Sequence, residues 1–312
     1  MKKVWSTSDA QPTVLYAHRN NTDDFTYPII ANSTGAIQVA ANIVDDLGGT
    51  QGIKFIDGKP RVSAMPYTYD ISEGNISGHR PWSKIGFCQS VATTELDIAP
   101  WLTSSYVFPT TTSTMTIVST NAGDKVDGAG ARTVTVYYLN EQYEEKSKTV
   151  TLTGLTEATI AIDMFRVNNA RVVTTGTSNS TIGNLTIASG GITYGYISAG
   201  KTRMRQCIWT VPSCCTLYIT QIAFSGSNQN PSKPGGIRFT TRANYDNLSG
   251  LVLQRGLFQP YNEVVLYNSA YYRDLNPPTK LPATTDLKVS AVSLVADPGD
   301  ITCSLRGWLE TV

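Results

Sequence analysis

Gly128-Ala-Gly-Ala-Arg-Thr-Val-Thr-Val-Tyr-Tyr-Leu-Asn-Glu-Gln-Tyr-Glu-Glu-Lys-Ser-Lys-Thr-Val-Thr-Leu-Thr-Gly154 is the stretch that decides the fold class. Val134, Val136 and Tyr138 share one face of an extended chain, and Thr133, Thr135 and Tyr137 share the other. Asn140 to Glu145 is polar and turn-like. Val150 and Leu152 then resume the apolar face, opposite Thr149, Thr151 and Thr153. Alternation with period two, carried by β-branched residues, marks a half-buried antiparallel strand. A helix would need apolar residues at three- and four-residue spacing, which is absent. The stretch therefore predicts a β-hairpin closed by a loop of several residues.

Working outward, the pattern repeats. Ile160 and Ile162 alternate with Thr159 and Ala161. Ile237, Phe239 and Thr241 alternate with Arg238, Thr240 and Arg242. Leu287, Val289 and Ala291 alternate with Lys288 and Ser290, and Ile301, Cys303 and Leu305 with Thr302, Ser304 and Arg306. Clusters of Gly, Pro, Asn and Ser fall between these runs, at 175–184, 225–236, 268–284 and 297–300. Short strands split by turn residues predict an all-β chain, read here as a jelly-roll-like antiparallel β-sandwich. From residue 109 to 312 roughly eight to twelve strands are expected.

Residues 1–108 are less regular and are expected to form an N-terminal arm and docking subdomain. Within them, 11–19 and 25–31 suit short strands, and Ile37 to Leu47 suits a strand or a short helix. Ile53 to Ile56, Asp57-Gly58 and Arg61 to Met65 read as a tight hairpin, because Asp-Gly is a strong turn signal. Thr94 ahead of Glu95 and Asp97 suggests a short capped helix ending near Pro100.

The chain of 312 residues is long enough to bury one full core or two. It carries a net charge of +1, with 16% charged residues. This is low for a soluble protein and does not suggest a nucleic-acid binder, which would normally show a basic face. A low-charge, Thr-rich surface suits one covered in part by partners. After Met1-Lys-Lys no apolar core of a signal peptide follows, and no run has the length of a membrane span. Sequons at Asn20, Asn32, Asn75, Asn179, Asn184 and Asn247 are expected by chance in so Ser/Thr/Asn-rich a chain. Cys88, Cys207, Cys214, Cys215 and Cys303 are odd in number and scattered, so they read as free thilos of a reducing cytoplasm rather than a disulfide framework.

Chemistry is sparse. His18 and His79 are the two histidines, far apart and in loop-like contexts. No zinc-ligand spacing and no Gly-x-Ser-x-Gly elbow occur. Gly128-Ala-Gly-Ala precedes a strand, whereas a phosphate cradle precedes a helix, and Gly48-Gly49 likewise reads as a turn. The neighbouring carboxylates Asp23-Asp24, Asp45-Asp46 and Glu144-Glu145 would point to opposite faces of a strand, so they read as solvated turn charge. Tyr194, Tyr196, Tyr261, Tyr267, Tyr271 and Tyr272 could stack on sugars or anchor a subunit contact, and packing or subunit contact is the preferred reading. The sequence nominates no catalytic, cofactor-binding or metal-binding residue and implies no cofactor.

The run from Gly130 to Gly154 resembles a segment common in structural proteins of tailed bacteriophages. Ile71-Ser-Glu-Gly-Asn-Ile-Ser-Gly-His79, Lys84-Ile-Gly-Phe87, Phe165-Arg-Val-Asn168, Trp209-Thr-Val-Pro212 and Thr285-Asp-Leu-Lys-Val289 resemble the same family. These stretches span residues 71 to 289. Ser213-Cys214-Cys215 departs from the pattern, where a small Gly/Lys-containing turn is commoner. The resemblance implies a non-enzymatic β-sandwich building block of the virion, made in the host cytoplasm and placed on the capsid or at the head–tail region. It would assemble with itself, three-fold packing being expected, and with other virion proteins, without nucleic acid or membrane. The alternative of another class is a receptor- or carbohydrate-binding tail fibre or spike module, which would share the fold.

Overall fold

A computed structural model describes residues 67–228, 235–296 and 299–311, together with seven short strands before them. These are β1 (Val14–Tyr16), β2 (Pro28–Ala31), β3 (Ile37–Gln38), β4 (Ile43–Val44), β5 (Thr50–Gln51), β6 (Lys54–Ile56) and β7 (Lys59–Arg61). Ile56 pairs with Lys59; Asp57 and Gly58, where the turn was expected, lie outside the described residues. Within the segment Ile37 to Leu47, Ile37–Gln38 and Ile43–Val44 are strands, and its other residues lie outside the described ones.

The chain divides into two compact units, Met1–Pro66 and Tyr67–Val312. The division falls well before residue 108. The second unit opens with the helix α1 (Tyr67–Ser72) and the long strand β8 (His79–Val91). It continues with β9 (Leu96–Asp97), β10 (Ser113–Ser119), β11 (Ala131–Leu139), β12 (Glu145–Thr151), β13 (Ala158–Met164), β14 (Arg166–Thr175), β15 (Leu185–Ser189) and β16 (Ile192–Ile197). There follow β17 (Ile208–Thr210), β18 (Cys215–Asn228), β19 (Ile237–Ala243), β20 (Tyr245–Asp246), β21 (Leu251–Val252) and β22 (Gln259–Leu266). The last strands are β23 (Ala270–Leu281), β24 (Asp286–Ser293) and β25 (Gly299–Thr311). All pairings are antiparallel, as the alternation requires.

These strands build two sandwiches around separate cores. The larger has one sheet ordered β23-β18-β25-β8 and a second ordered β17-β24-β19-β22, with β9 added beside β24. The first strand, β8, pairs with the last, β25, from Val91↔Gly299 to His79↔Glu310. Phe224, Phe239, Val289, Leu305 and Leu217 fill the space between the sheets. Each such side chain contributes about 1.5–3 kcal/mol of burial. The smaller sandwich faces the sheet β13-β10-β15-β16 with the sheet β12-β11-β14. Its core holds Met115, Ile117, Val134, Val136, Leu185 and Ile187.

The smaller sandwich is an insertion in the larger. Ile98 lies in the larger core and Ala99 in the smaller; the chain returns through Cys207, Ile208 and Trp209, whose side chains enter the larger, smaller and larger core in turn. The single sandwich expected from residue 109 is thus two, and sixteen strands follow that point. Alternation is a local signal: it says that a strand has an apolar face, not which other strands share its core.

The hairpin that opened the reading is β11–β12. Val134 pairs with Val150, Val136 with Lys148 and Leu139 with Glu145 in unbroken register. The Asn140 carboxamide oxygen accepts from the backbone N–H of Gln142 (3.1 Å) and Glu144 (2.9 Å), and so shapes the loop. Elsewhere alternation misleads. Bulges in β13 against β10 break the face shared by Ile160 and Ile162, so Ile160 is 3% exposed and Ile162 75%. The capped helix expected at Thr94 is instead β9, because Asp97 is drawn inward by partners distant in sequence, described below.

Candidate functional site

Neither described candidate for chemistry forms a reaction centre. Tyr67 Oη lies 2.8 Å from His79 Nε2, and Ser77 O lies 3.0 Å from His79 Nδ1. Glu144 pairs with Lys146 (3.0 Å) and Glu145 with Arg80, so the adjacent carboxylates serve two separate ion pairs. His18, Asp23, Asp24, Asp45, Asp46, Gly48 and Gly49 lie outside the described residues. Among the described residues no cluster of His, Cys, Asp and Glu is arranged to hold a metal ion. No helix there is long and apolar enough to cross a membrane. The five cysteines are free; four are buried and Cys214 is exposed.

The glycines of 128–131 are structural. A Cβ on Gly130 would stand 2.0 Å from Asp124 Oδ1, and one on Gly128 would stand 2.0 Å from the Gly123 carbonyl oxygen. The close approach serves Asp124, which is fully buried. Its carboxylate accepts from the N–H groups of Ala131, Ile182 and Gly183 and from the Ser119 hydroxyl, at 2.6–3.0 Å. The loop thus ties down one end of the smaller sandwich.

The tyrosines divide. Tyr194 is packed beside Tyr106, Tyr196 stacks on Trp101, and Tyr271 stacks on Phe224. Tyr267 and Tyr272 are exposed. Tyr261 donates its hydroxyl to Tyr245 O at 2.6 Å and lines a cavity.

Two places hold polar groups inside the protein. The first is the junction of the sandwiches. Arg166 of β14 and Asp286 of β24 form a two-pronged ion pair, Nε–Oδ1 3.0 Å and Nη2–Oδ2 3.1 Å, and both side chains are 1% exposed. The Arg166 guanidinium also donates to Pro109 O (2.6 Å) and lies 4.0 Å from the centre of the Phe165 ring. Thr210 Oγ1 donates to Asp286 Oδ1 at 2.6 Å. Asn168 and Thr210 exchange two hydrogen bonds, Nδ2 to O at 2.8 Å and N to Oδ1 at 2.9 Å, and Lys84 Nζ donates to Asn168 O. Lys288 Nζ and Ser290 Oγ reach Asp97 at 2.9 and 2.6 Å, and the Tyr106 N–H adds a third bond at 2.6 Å. Burial pushes the Lys84 ammonium down to about 7, with Arg203 acting in the same direction and Cys207 against it.

This network explains β24. All eight of its residues are buried. Leu287, Val289 and Ala291 enter the larger core, whereas Asp286, Lys288 and Ser290 face the junction. Lys84, Arg166, Asn168, Thr210, Asp286 and Lys288 belong to the short stretches that carry the sequence resemblance. Their partners lie up to 191 residues apart, the span of Lys288 to Asp97, so no local pattern marks their role.

The second place is a cavity of about 330 Å³ at the edge of the larger sandwich, between β22 and β23. It exists because β23 leaves its partner there: Ile219 pairs with Thr279 and Gln221 with Asp274, so residues 275–278 bulge out. Pro277 and Pro278 have no N–H with which to continue the ladder. Ile219 and Ile222 line it from one sheet, and Leu287, Thr241, Tyr261 and Asn262 from the other. Thr241 is 2% exposed, and neither its Oγ1 nor Asn262 Nδ2 has a hydrogen-bond partner among the described residues. The sequence held a signal here: Thr241 stands at the inward position of the run Ile237, Phe239, Thr241.

No protein-family model matches the chain, and no curated protein does. Among solved structures, T=1 particles derived from infectious bursal virus give 9% identity over 76% of this chain and 75% of that one, with a TM-score of 0.19. The Gx strain of infectious bursal disease virus gives 8% identity over 75% and 77%, TM-score 0.18. The VP2 subviral particle of that virus gives 9% over 75% and 77%, also 0.18. Scores of this size do not establish a shared fold.

Proposed function

We propose that this chain is a non-enzymatic structural protein of a tailed-bacteriophage virion, set in the capsid or head–tail region and assembled as a homo-oligomer, a trimer in the simplest case. The observation that carries the reading is the convergence of Lys84, Arg166, Asn168, Thr210, Asp286 and Lys288 on one buried joint. Four of the stretches that resemble phage structural proteins meet where two sandwiches are held in fixed relation, which is the requirement of a building block.

Two further features support it. The larger sandwich has eight main strands in two sheets, with its first strand beside its last, and we read it as jelly-roll-like, an architecture of capsid and lectin domains. Leu248, Leu251 and Leu257 are exposed within one short segment and offer apolar contact to a neighbouring subunit. The N-terminal residues serve in this reading as the docking arm. Cryo-electron microscopy of the assembled particle, with sedimentation velocity of the purified chain, tests the proposal. Density for the chain at a symmetric position and a trimer in solution are expected. Absence of the chain from the particle would overturn it.

A further inference from the structure

We propose that the cavity between β22 and β23 is a binding site for a single neutral sugar residue. Such a site is independent of the virion reading. About 330 Å³ is near the lower end of small-ligand pockets and suits one pyranose ring with its substituents. Ile219, Ile222 and Leu287 offer apolar surface for the C–H face of such a ring, and the Tyr261 ring also lines the cavity.

The polar groups point to hydroxyls. Thr241 Oγ1 can donate and accept, while Asn262 Nδ2 can only donate. Both are unpartnered, although a buried polar atom without a partner costs about 1–3 kcal/mol. A hydroxyl-bearing ring satisfies both at once. A carboxylate or phosphate suits the site less well, because Arg273 on the rim is followed directly by Asp274, whose Oδ1 already accepts from Gln221 Nε2 at 3.1 Å. A purely apolar ligand would leave Thr241 and Asn262 as they are. The site also explains why a threonine occupies the inward position between Phe239 and Ala243, where neighbours are apolar.

The test is protein-observed NMR titration of the full chain with the methyl glycosides of glucose, galactose, mannose and N-acetylglucosamine, and with inorganic phosphate in parallel. One glycoside is expected to saturate with a Kd in the millimolar range or tighter, shifting resonances of Tyr261, Asn262 and Thr241. Thr241→Val, which keeps the side-chain shape, should weaken that binding at least tenfold, and Arg273→Ala on the exposed rim should weaken it less. Three results would overturn the proposal: no saturable shift with any glycoside at tens of millimolar, binding unchanged in both variants, or saturation by phosphate in preference to sugars.

Discussion

The junction and the cavity both place polar side chains inside a β-sandwich protein, and they treat them in opposite ways. At the junction every charged group has a partner: Arg166 with Asp286, Lys288 with Asp97, Lys84 with the Asn168 carbonyl. At the cavity Thr241 and Asn262 each leave a polar atom unsatisfied. The difference teaches how to tell a joint from a site. A joint spends its hydrogen bonds within the protein, so its polar groups specify a geometry. A site keeps some in reserve for a ligand.

Substitutions at the two places test this contrast. The largest effect is expected from Arg166→Met, which leaves Asp286 buried with only the Thr210 hydroxyl on its carboxylate. The loss should be about 3–5 kcal/mol in urea unfolding, and Arg166→Met with Asp286→Leu should recover part of it, since an apolar pair carries no stranded charge. If the single variant unfolds like the parent, the joint is not where stability is set.

Lys84 gives a pH-dependent version. Its folded value of about 7 lies below the ordinary lysine value of 10.5, so between those limits the unfolded chain binds more protons than the folded one. Stability contributed by this group therefore rises as pH goes from 7 to 10.5, and below 7 the burial cost is carried in full. Between pH 7 and 9.5 the gain is on the order of 2–3 kcal/mol. Urea midpoints of the parent, with those of Lys84→Met as the control for other titrating groups, should show this slope in the parent alone.

The sharpest comparison uses one substitution twice. Thr210→Val removes a hydrogen bond to a carboxylate and should cost about 1.5–3 kcal/mol. Thr241→Val removes a hydroxyl without a partner and should change stability by less than about 1 kcal/mol, in the stabilising direction. Thermal unfolding of both reads the difference. Equal losses would mean that Thr241 has a structural role like that of Thr210.

The strands themselves were legible. β11, β12, β19, β24 and β25 lie where period-two alternation put them. Each is set by residues within a few positions of one another. What failed was any inference that crossed elements. Lys288 and Ser290 read as the polar face of a half-buried strand, yet that face is buried, with Asp97 taking both side chains. Thr94 to Asp97 read as a helix start because a Thr followed by acidic residues suits a cap, yet Asp97 is claimed by Lys288 and Ser290. Tyr261 was a candidate from its type alone; Asn262 and Arg273 gave no sign.

The sequence by itself determined that this is an antiparallel β protein, because the side-chain period of a strand is written in consecutive residues. It also held the short stretches that mark the joint, without saying that they meet. Only the tertiary structure decided that there are two cores, that an arginine and an aspartate 120 residues apart form one buried pair, and that a bulge at Pro277 and Pro278 opens a cavity over Thr241. Those outcomes depend on which strands pack together, and pairing between distant segments leaves no periodic trace in either of them.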